Sequence, residues 1–295
     1  MTEILRTPDG AFADLPDYPF SPNYFEWNDI RMHYLDEGEG DPVILFHGEP
    51  TWSFLYRKVI PPLVAAGYRC IAPDYVGLGK SDKPVDDAFY TFDMHRDSVS
   101  ALLGSLDLSN ATVVGQDWGG PIGLRYAVEH PEVVTRLVIL NTGLFSGRGT
   151  MSESWMTFRE WVSNTPDLPV DFLMSRSASD SWGADVLAAY AAPFPTADHK
   201  AGIRRFPMIV PLQADDPGAA EMLAVREQLA SWTNPAYVLF STGDPIFSTR
   251  TGERLAELIP GAGPLDTIEE AAHFLPEDQG DEVGRRIASW LQSLE

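Results

Sequence analysis

The chain has 295 residues, is 44% hydrophobic, and carries 43 acidic against 21 basic side chains, for a formal net charge of −22 at pH 7. That charge argues against nucleic acid and anionic membranes as partners, because phosphate binding needs clustered Lys and Arg. No apolar run approaches the roughly 18 residues of a transmembrane helix, and the N-terminus does not resemble a signal peptide, so we expect a cytoplasmic protein.

The predicted elements alternate between strands and helices along the chain. Residues 26–37 and 43–46 are predicted as an early strand pair, 54–67 as a helix, 69–73 as a buried strand, 74–84 as a turn-rich loop and 92–106 as a helix. The remaining predictions are a strand at 111–114, a helix to about 130, strands at 136–140, 236–241 and 265–268, and an amphipathic helix at 281–294. This order predicts an α/β fold whose mostly parallel central sheet is flanked by helices.

Residues 145–225 interrupt the alternation. They are polar, rich in Trp, Pro and Ala, and mostly helical in pattern. Ligands of open α/β sheets bind at the carboxyl ends of the strands, so an insertion there would cover the site. We therefore predict a helical cap domain at 145–225 on a core domain formed by 1–144 and 226–295. An exposed insertion without a role in binding is the alternative.

The segment VVGQDWGG at 113–120 follows an apolar strand and precedes a helical stretch. This is the G-x-nucleophile-x-G turn, and Asp117 stands where an acyl-transfer enzyme would carry serine. A carboxylate that displaces a group from tetrahedral carbon leaves an ester, which water can reopen, whereas a serine would leave an ether. The pattern predicts displacement at sp3 carbon in two covalent steps. The alternatives are a relative that lost its nucleophile and an aspartate that caps a helix.

Two further residues follow later strands. Asp244 lies in the turn STGDPIF after strand 236–241, and His273 lies in IEEAAHFLPED after the last strand. The order nucleophile, acid, histidine is that of this architecture. We predict that His273 activates water while Asp244 orients the imidazole and stabilises its charge. A core histidine and an ordinary Asp-Pro turn are the alternatives.

The turn HGEP follows the strand VILF and predicts a backbone donor. We expect the N–H groups of Glu49 and Trp118 to form an oxyanion hole, and His47 to fix the loop by hydrogen bonds. The indole N–H of Trp118 donates but cannot accept, which suits a departing halide; simple packing is the alternative. Structural roles are predicted for His33, His95, His130 and His199.

These residues together resemble the haloalkane dehalogenases of the α/β-hydrolase superfamily, in the subgroup whose catalytic acid follows the strand after the cap. The matching segments are HGEPTWSFLYRK (47–58), GLGKSDKP (77–84), GQDWGG (115–120), YAAPFP (190–195), HKAGIRRFP (199–207), STGDP (241–245) and AAHFLPED (271–278). The resemblance implies Asp117 as nucleophile, His273 as base, Asp244 as acid and Trp118 as the first halide donor. It implies a small apolar halogenated substrate, a halide product and no cofactor or metal. We expect a monomer or weak homo-oligomer.

The first cap helix departs from the family pattern, in which a tryptophan usually donates the second hydrogen bond to halide. The expected register falls on Phe158, which has no N–H to donate. Trp155 and Trp161 lie about one turn away on roughly the same face. We predict that one of them substitutes or that one donor is missing. Cap packing by all three residues is the alternative.

Other functions stay open from the sequence. An epoxide hydrolase shares the aspartate, the histidine and the turn, but usually protonates its alkoxide with two cap tyrosines, and 145–225 contains only Tyr190. A fluoroacetate-type dehalogenase would want an arginine beside the nucleophile, where Trp118 stands. A non-catalytic ligand receptor on this fold would not need all three triad residues.

Overall fold

The computed structural model describes residues 2–294. Its strands are β1 (Ile4–Leu5), β2 (Asn23–Trp27), β3 (Ile30–Glu37), β4 (Pro42–Phe46), β5 (Arg69–Pro73), β6 (Lys83–Pro84), β7 (Ala111–Gln116), β8 (Val134–Leu140), β9 (Ala236–Ser241) and β10 (Asp266–Ile268). Its α-helices are α1 (Ile60–Ala65), α2 (Phe92–Gly104), α3 (Gly119–Glu129), α4 (Glu153–Ser163), α5 (Val170–Arg176), α6 (Ala184–Ala191), α7 (Ala201–Arg205), α8 (Ala219–Leu229), α9 (Thr249–Leu258), α10 (Leu275–Asp278) and α11 (Gly280–Gln292). Short 3-10 helices lie at Asp9–Phe12, Ser53–Tyr56, Asp87–Phe89, Ala197–Lys200 and Phe206–Ile209.

One large sheet organises the molecule. Its eight strands follow the order β10-β9-β8-β7-β4-β5-β3-β2, and β1 pairs separately with β6. The strands from β10 to β5 run parallel to one another, while β3 and β2 are antiparallel at one edge. Every residue of β4 and β7 is buried, as expected of central parallel strands covered by helices. The predicted α/β-hydrolase fold, a mostly parallel sheet flanked by helices, is confirmed.

Two of the predicted elements near the N-terminus are wrong in detail. Residues 26–37 do not form one strand paired with 43–46: β2 and β3 form a hairpin, and β5 lies between β3 and β4. The helix predicted at 54–67 is a 3-10 turn at Ser53–Tyr56 followed by α1. Pro61 and Pro62 lack backbone N–H groups, so they are tolerated in the first turn of α1 but not inside a longer helix.

Helices α4 to α7 lie within the segment predicted as a cap and contact the core through buried hydrogen bonds. The Trp52 indole N–H donates to the carbonyl of Ala189 at 3.2 Å, and the Tyr190 hydroxyl donates to Glu277 at 2.6 Å. Helix α8 instead packs against α3 of the sheet layer and crosses the predicted boundary at residue 225. The division into a core (1–144 and 226–295) and a cap (145–225) remains a prediction, and α8 favours a cap that ends before residue 219.

Within residues 2–294, no helix is both long and apolar enough to cross a membrane.

Candidate active site

Asp117 lies at the sharp turn between β7 and α3. Its backbone has a φ of +51°, a left-handed conformation that costs a non-glycine residue on the order of 1 kcal/mol or more. Backbone hydrogen bonds hold the turn, because the Asp117 N–H donates to Asn141 at 3.1 Å and the Thr142 hydroxyl donates to the Asp117 carbonyl at 2.5 Å. Gly119 lets the helix approach β4, since a Cβ there would lie 1.9 Å from the Phe46 carbonyl oxygen. The turn therefore presents Asp117 at the carboxyl edge of the sheet.

The two carboxyl oxygens of Asp117 have different partners. The Glu49 backbone N–H, in the loop after β4, donates to Oδ1 at 2.9 Å. Oδ2 instead faces His273, whose Nε2 lies 3.5 Å away. One oxygen is thus held by a backbone donor, and the other faces the imidazole of His273, a possible base.

His273 and Asp244 meet at the same sheet edge. The Nδ1 atom of His273 lies 3.0 Å from Oδ2 of Asp244, and the histidine is 2% exposed. The other carboxyl oxygen of Asp244 accepts a hydrogen bond from the backbone N–H of Ile246 at 2.7 Å. Asp117, His273 and Asp244, predicted from their order in the chain, therefore form one contiguous set with the imidazole between two carboxylates.

The protonation of His273 reflects these neighbours. Burial disfavours the charged ring, but the charges and hydrogen bonds of Asp244 and Asp117 outweigh it and raise the pKa of His273 to about 10. With both aspartates ionised, the imidazole is therefore protonated at neutral pH. It becomes a base only after one of the two negative charges is removed.

Asn141 and Gln116 support this set and were missed by the sequence analysis. Asn141 directly follows β8, and its side-chain amide donates to the Ala272 carbonyl at 2.9 Å while its oxygen accepts from the Ser241 N–H at 2.8 Å. The Gln116 amide donates to the His273 carbonyl at 3.0 Å. Asn141 thereby joins the ends of β8 and β9 to the histidine loop. A polar residue directly after a buried strand was the available signal.

Trp118 lies beside the nucleophile position and is 7% exposed. Its ring packs against Phe206 with centroids 5.1 Å apart and against Phe92 at 6.4 Å. Among the described residues, none accepts a hydrogen bond from its indole N–H. The side chain also lines the cavity that reaches Asp117. Trp118 can therefore offer an unshared donor from an apolar wall.

The cavity above Asp117 has a volume of about 1260 Å³ and is open on one side. Trp155 and Phe158, on α4, line it together with Asp117 and His273. Trp161 is not among the described residues that line it; its ring lies beside that of Phe158, with centroids 6.3 Å apart. Of the two tryptophans that the sequence left open as donors, the structure thus brings Trp155 to the cavity.

Glu49 is half-buried at this cavity, and its buried Oε1 atom has no hydrogen-bond partner among the described residues. Burial raises its pKa well above the ordinary range, the charge of Asp117 raises it further, and His273 opposes the effect. Burial and the charge of Asp117 therefore favour the neutral form of the Glu49 carboxyl group. The group of Glu49 that donates a hydrogen bond to Asp117 is the backbone N–H, not the side chain.

The remaining histidines take no direct part in this set. His47 contacts its own loop, with Nδ1 2.8 Å from the Gly48 carbonyl oxygen. His33 does have a partner that the sequence did not indicate: its Nδ1 lies 2.7 Å from Asp74, and both side chains are fully buried. His95 is buried against Phe206, and burial lowers its pKa to about 3.

Tyr190 bears on the epoxide hydrolase alternative. It is fully buried, its hydroxyl donates to Glu277, and it is not among the described residues that line the cavity. It is therefore not placed to protonate an alkoxide formed at Asp117.

Comparisons with known proteins agree with this arrangement. A family model described as the alpha/beta hydrolase fold matches residues 41–279. A haloalkane dehalogenase of Psychrobacter cryohalolentis is 42% identical, over 98% of this chain and 98% of that protein. Another, from Mycobacterium marinum, is 41% identical over 98% of this chain and 99% of its own length. This chain belongs to the haloalkane dehalogenase family.

A solved member of the haloalkane dehalogenase family has the same architecture. The structure of a tetrameric haloalkane dehalogenase from Paraglaciecola agarilytica superimposes with a TM-score of 0.90 and 35% identity, covering 96% of this chain and 97% of that chain. The likeness extends through helices α4 to α7, so the haloalkane dehalogenase fold described here includes the segment above Asp117.

Proposed function

We propose that this protein hydrolyses haloalkanes to an alcohol, a halide and a proton, through an alkyl ester on Asp117. The observation that carries the proposal is the environment of the Asp117 carboxylate. Its Oδ1 accepts a hydrogen bond from the Glu49 backbone N–H, its Oδ2 lies 3.5 Å from His273, and Asp117 lines the cavity. An aspartate in this position can attack saturated carbon and later be released by water.

In the first step, Oδ2 of Asp117 attacks the carbon that bears the halogen. A carbon–oxygen bond forms, the carbon–halogen bond breaks, and the halide leaves with the bonding electrons. The indole N–H of Trp118 is the donor best placed to receive that halide, because it lines the cavity and has no other partner among the described residues. A donor on an apolar wall stabilises developing negative charge more strongly than it would in water.

In the second step, His273 accepts a proton from water, which attacks Cγ of the ester. Alkylation removes the negative charge of Asp117, one of the groups that raise the pKa of His273, so the ring then deprotonates more readily. The N–H groups of Glu49 and Trp118 would hold the oxyanion on Oδ1. The bond between Cγ and Oδ2 then breaks, His273 returns its proton to the departing alkoxide to give the alcohol, and the oxygen of water remains on Asp117.

Trapping the ester is the decisive experiment. The His273→Phe variant should release one equivalent of bromide from 1-bromobutane and accumulate a butyl group on the peptide that contains Asp117, as read by mass spectrometry. In the unmodified enzyme, a single turnover in heavy-oxygen water should label Asp117. Bromide release that persists in Asp117→Ala, or the label appearing in the alcohol alone, would exclude this assignment. An epoxide and a nitrophenyl ester, assayed in parallel, test the rival activities.

The second halide donor is assigned by the same logic to Trp155, since it lines the cavity and Trp161 does not. Bromide binding, followed by indole fluorescence, should weaken in Trp118→Phe and Trp155→Phe. Trp161→Phe is the matched control on the same helix. Equal binding in Trp155→Phe and the unmodified protein would mean that one donor is missing, as Phe158 in the expected register suggests.

Further properties are proposed from the sequence. A monomer or weak homo-oligomer is proposed from the sequence; the similar Paraglaciecola structure is tetrameric, and sedimentation velocity distinguishes the two states. A cytoplasmic location and the absence of nucleic-acid and membrane partners rest on charge and composition. Independence from cofactors and metals is tested by assaying bromide release after dialysis against a chelator.

A further inference from the structure

Most basic side chains of this acidic protein contact a carboxylate, a carbonyl group or an aromatic ring. Most of its 21 Lys and Arg residues form ion pairs, hydrogen bonds to carbonyl groups or contacts over aromatic rings. Within residues 2–294, the side chains that make none of these contacts are Arg148, Arg176, Arg226, Arg250 and Arg254. All of these except Arg250 line the cavity that reaches Asp117. Four of the five arginines that make no such contact thus line the same cavity.

These arginines come from separate parts of the fold. Arg148 lies in the loop after β8, Arg176 ends α5, Arg226 lies in α8 and Arg254 lies in α9. All four are exposed, so they lie toward the open side of the cavity. We call them the arginine rim. They come from four separate segments of the chain, so they are neither one face of a single helix nor one basic run of sequence.

Few of the described residues that line the cavity carry an opposing charge. Among the described residues that line the cavity, the acidic ones are Glu49, Asp117 and Glu257. Glu49 and Asp117 lie deep beside the triad, which leaves Glu257 as the exposed carboxylate near the mouth. In a protein of net charge −22, the mouth is therefore locally positive. Clefts lined by one sign of charge raise the local concentration of ligands of the opposite sign.

The cavity is large enough to join the rim to the nucleophile through one substrate. Its volume of about 1260 Å³ exceeds the roughly 300–1,000 Å³ of pockets that hold drug-sized ligands. Its inner part offers Asp117 and apolar side chains, and its mouth offers guanidinium groups. Guanidinium binds carboxylates through paired N–H donors. A substrate complementary to both parts is apolar in the middle, halogenated at one end and anionic at the other.

We propose that the enzyme acts on haloalkanoates that carry the halogen at the end opposite the carboxylate, with the halogenated carbon at Asp117 and the carboxylate at the arginine rim. The inference rests on the proposed dehalogenation. For 6-bromohexanoate the balanced reaction consumes water and yields 6-hydroxyhexanoate, bromide and a proton. The carboxylate takes no part in bond making. It binds at the mouth and not beside the nucleophile, where Trp118 stands.

The test compares kcat/KM for 6-bromohexanoate and 6-bromohexan-1-ol, which share chain length and halogen and differ in charge. The unmodified enzyme should favour the carboxylate. Replacing all four rim residues by glutamine should lower that preference about tenfold, as expected of several exposed ion pairs. Arg254→Gln and Arg250→Gln form a matched pair on α9, since only Arg254 lines the cavity. Arg250→Gln should leave the preference unchanged.

A second readout does not depend on turnover. Hexanoate, which carries no halogen, should bind the unmodified protein in isothermal titration calorimetry and bind the rim variant about tenfold more weakly. If neither bromo compound releases bromide, the proposed function fails, and hexanoate binding alone then decides whether the rim is an anion site. Hexanoate binding that is absent, or equal in both proteins, overturns the rim.

Two kinetic outcomes also overturn the proposal. The first is a preference for 6-bromohexan-1-ol, or no preference, that the rim variant does not change. The second is a rim variant in which inhibition by bromide changes equally for both substrates, while the ratio of their kcat/KM values stays the same. That result would mean that the arginines handle departing halide and do not select the substrate.

Discussion

The asymmetry between the two oxygens of Asp117 defines what each neighbour can contribute. Oδ1 accepts a hydrogen bond from the Glu49 backbone N–H, and Oδ2 lies 3.5 Å from Nε2 of His273. The Glu49 side chain, by contrast, has a buried Oε1 atom without a hydrogen-bond partner among the described residues. The contact of Glu49 with the nucleophile is therefore made by its backbone N–H, while burial and the charge of Asp117 favour the neutral form of its carboxyl group.

Glu49→Gln tests that view. Burial and the charge of Asp117 hold the pKa of Glu49 well above its ordinary range, which favours the neutral carboxyl group, and glutamine matches that form in charge and shape. We expect kcat/KM for 1-bromobutane to stay within about threefold of the unmodified enzyme. Steady-state bromide release checks this. A loss of more than about tenfold in a correctly folded variant would mean that the Glu49 carboxyl group takes part in the chemistry.

Asp244→Asn should separate the two chemical steps. The variant removes the charge that orients and stabilises the imidazole but keeps the shape of the side chain. Ester hydrolysis should fall by a factor on the order of 10² to 10⁴, while the first release of bromide persists. Rapid-quench kinetics with mass spectrometry should show alkylated Asp117 accumulating. Asp215→Asn, an exposed aspartate outside the cavity lining, is the control. Equal slowing of both steps would contradict this role for Asp244.

The site residues that could be predicted from the sequence are those that follow the ends of strands. Asp117, Asp244 and His273 follow β7, β9 and β10, and parallel strands bring such residues to one edge. The rotation of a cap helix about its own axis cannot be predicted in the same way. Trp155 and Trp161 share a face in the sequence pattern, but the packing of α4 decides which of them reaches the cavity.

At the scale of elements, the turn before α3 depends on close packing of that helix against β4. A Cβ at Gly119 would lie 1.9 Å from a backbone carbonyl oxygen of Phe46, which cannot move without shifting β4. The helix must therefore retreat if the glycine is replaced. Because Asp117 lies directly before α3, such a retreat would also displace the nucleophile.

Gly119→Ala should accordingly destabilise the protein by about 1–3 kcal/mol and lower activity. Gly104→Ala is the matched control: Gly104 ends α2, and a Cβ there meets no atom within 4 Å. It should be neutral or stabilising by up to about 1 kcal/mol. Urea unfolding and bromide release measure both variants. Similar stability of the two would show that β4 and α3 are not in essential contact.

Elements were predictable where the sequence pattern shows a single uninterrupted buried strand or amphipathic helix. Strand β9 was predicted to the residue at 236–241, and α11 to within two residues at each end. The β2–β3 hairpin was merged into one strand because Asn28 and Asp29 form its turn at positive φ without a glycine. Strand order was not predictable, because β5 inserts between β3 and β4 through contacts distant in sequence.

At the scale of the whole molecule, charge is distributed unevenly. The acidic excess of the chain leaves most basic groups paired, with the arginine rim as the exception near the cavity. Inside, His273 is a buried cation held by two carboxylates. A buried cation of this kind couples the stability of the entire fold to pH, because the unfolded chain binds its proton less tightly.

The sign of that coupling follows from the two pKa values of His273. The value is about 6.5 when the chain is unfolded and about 10 in the fold, where Asp244 and Asp117 outweigh burial. Below pH 6.5 both states bind the proton, and the stabilisation is fully present. As the pH rises from 6.5 toward 10, the folded state alone retains the proton, so the stabilisation is progressively lost.

His273→Gln should therefore cost the most stability at about pH 6 and the least at about pH 9.5. Above the folded pKa, the histidine of the unmodified protein is neutral and no longer compensates the buried carboxylates, so the two proteins resemble each other. Free energies of unfolding in urea across this range measure the difference. Gly104→Ala, which changes no titratable group, should show a constant offset. An offset for His273→Gln that stays constant or grows with pH would mean that His273 is not held as a cation between Asp117 and Asp244.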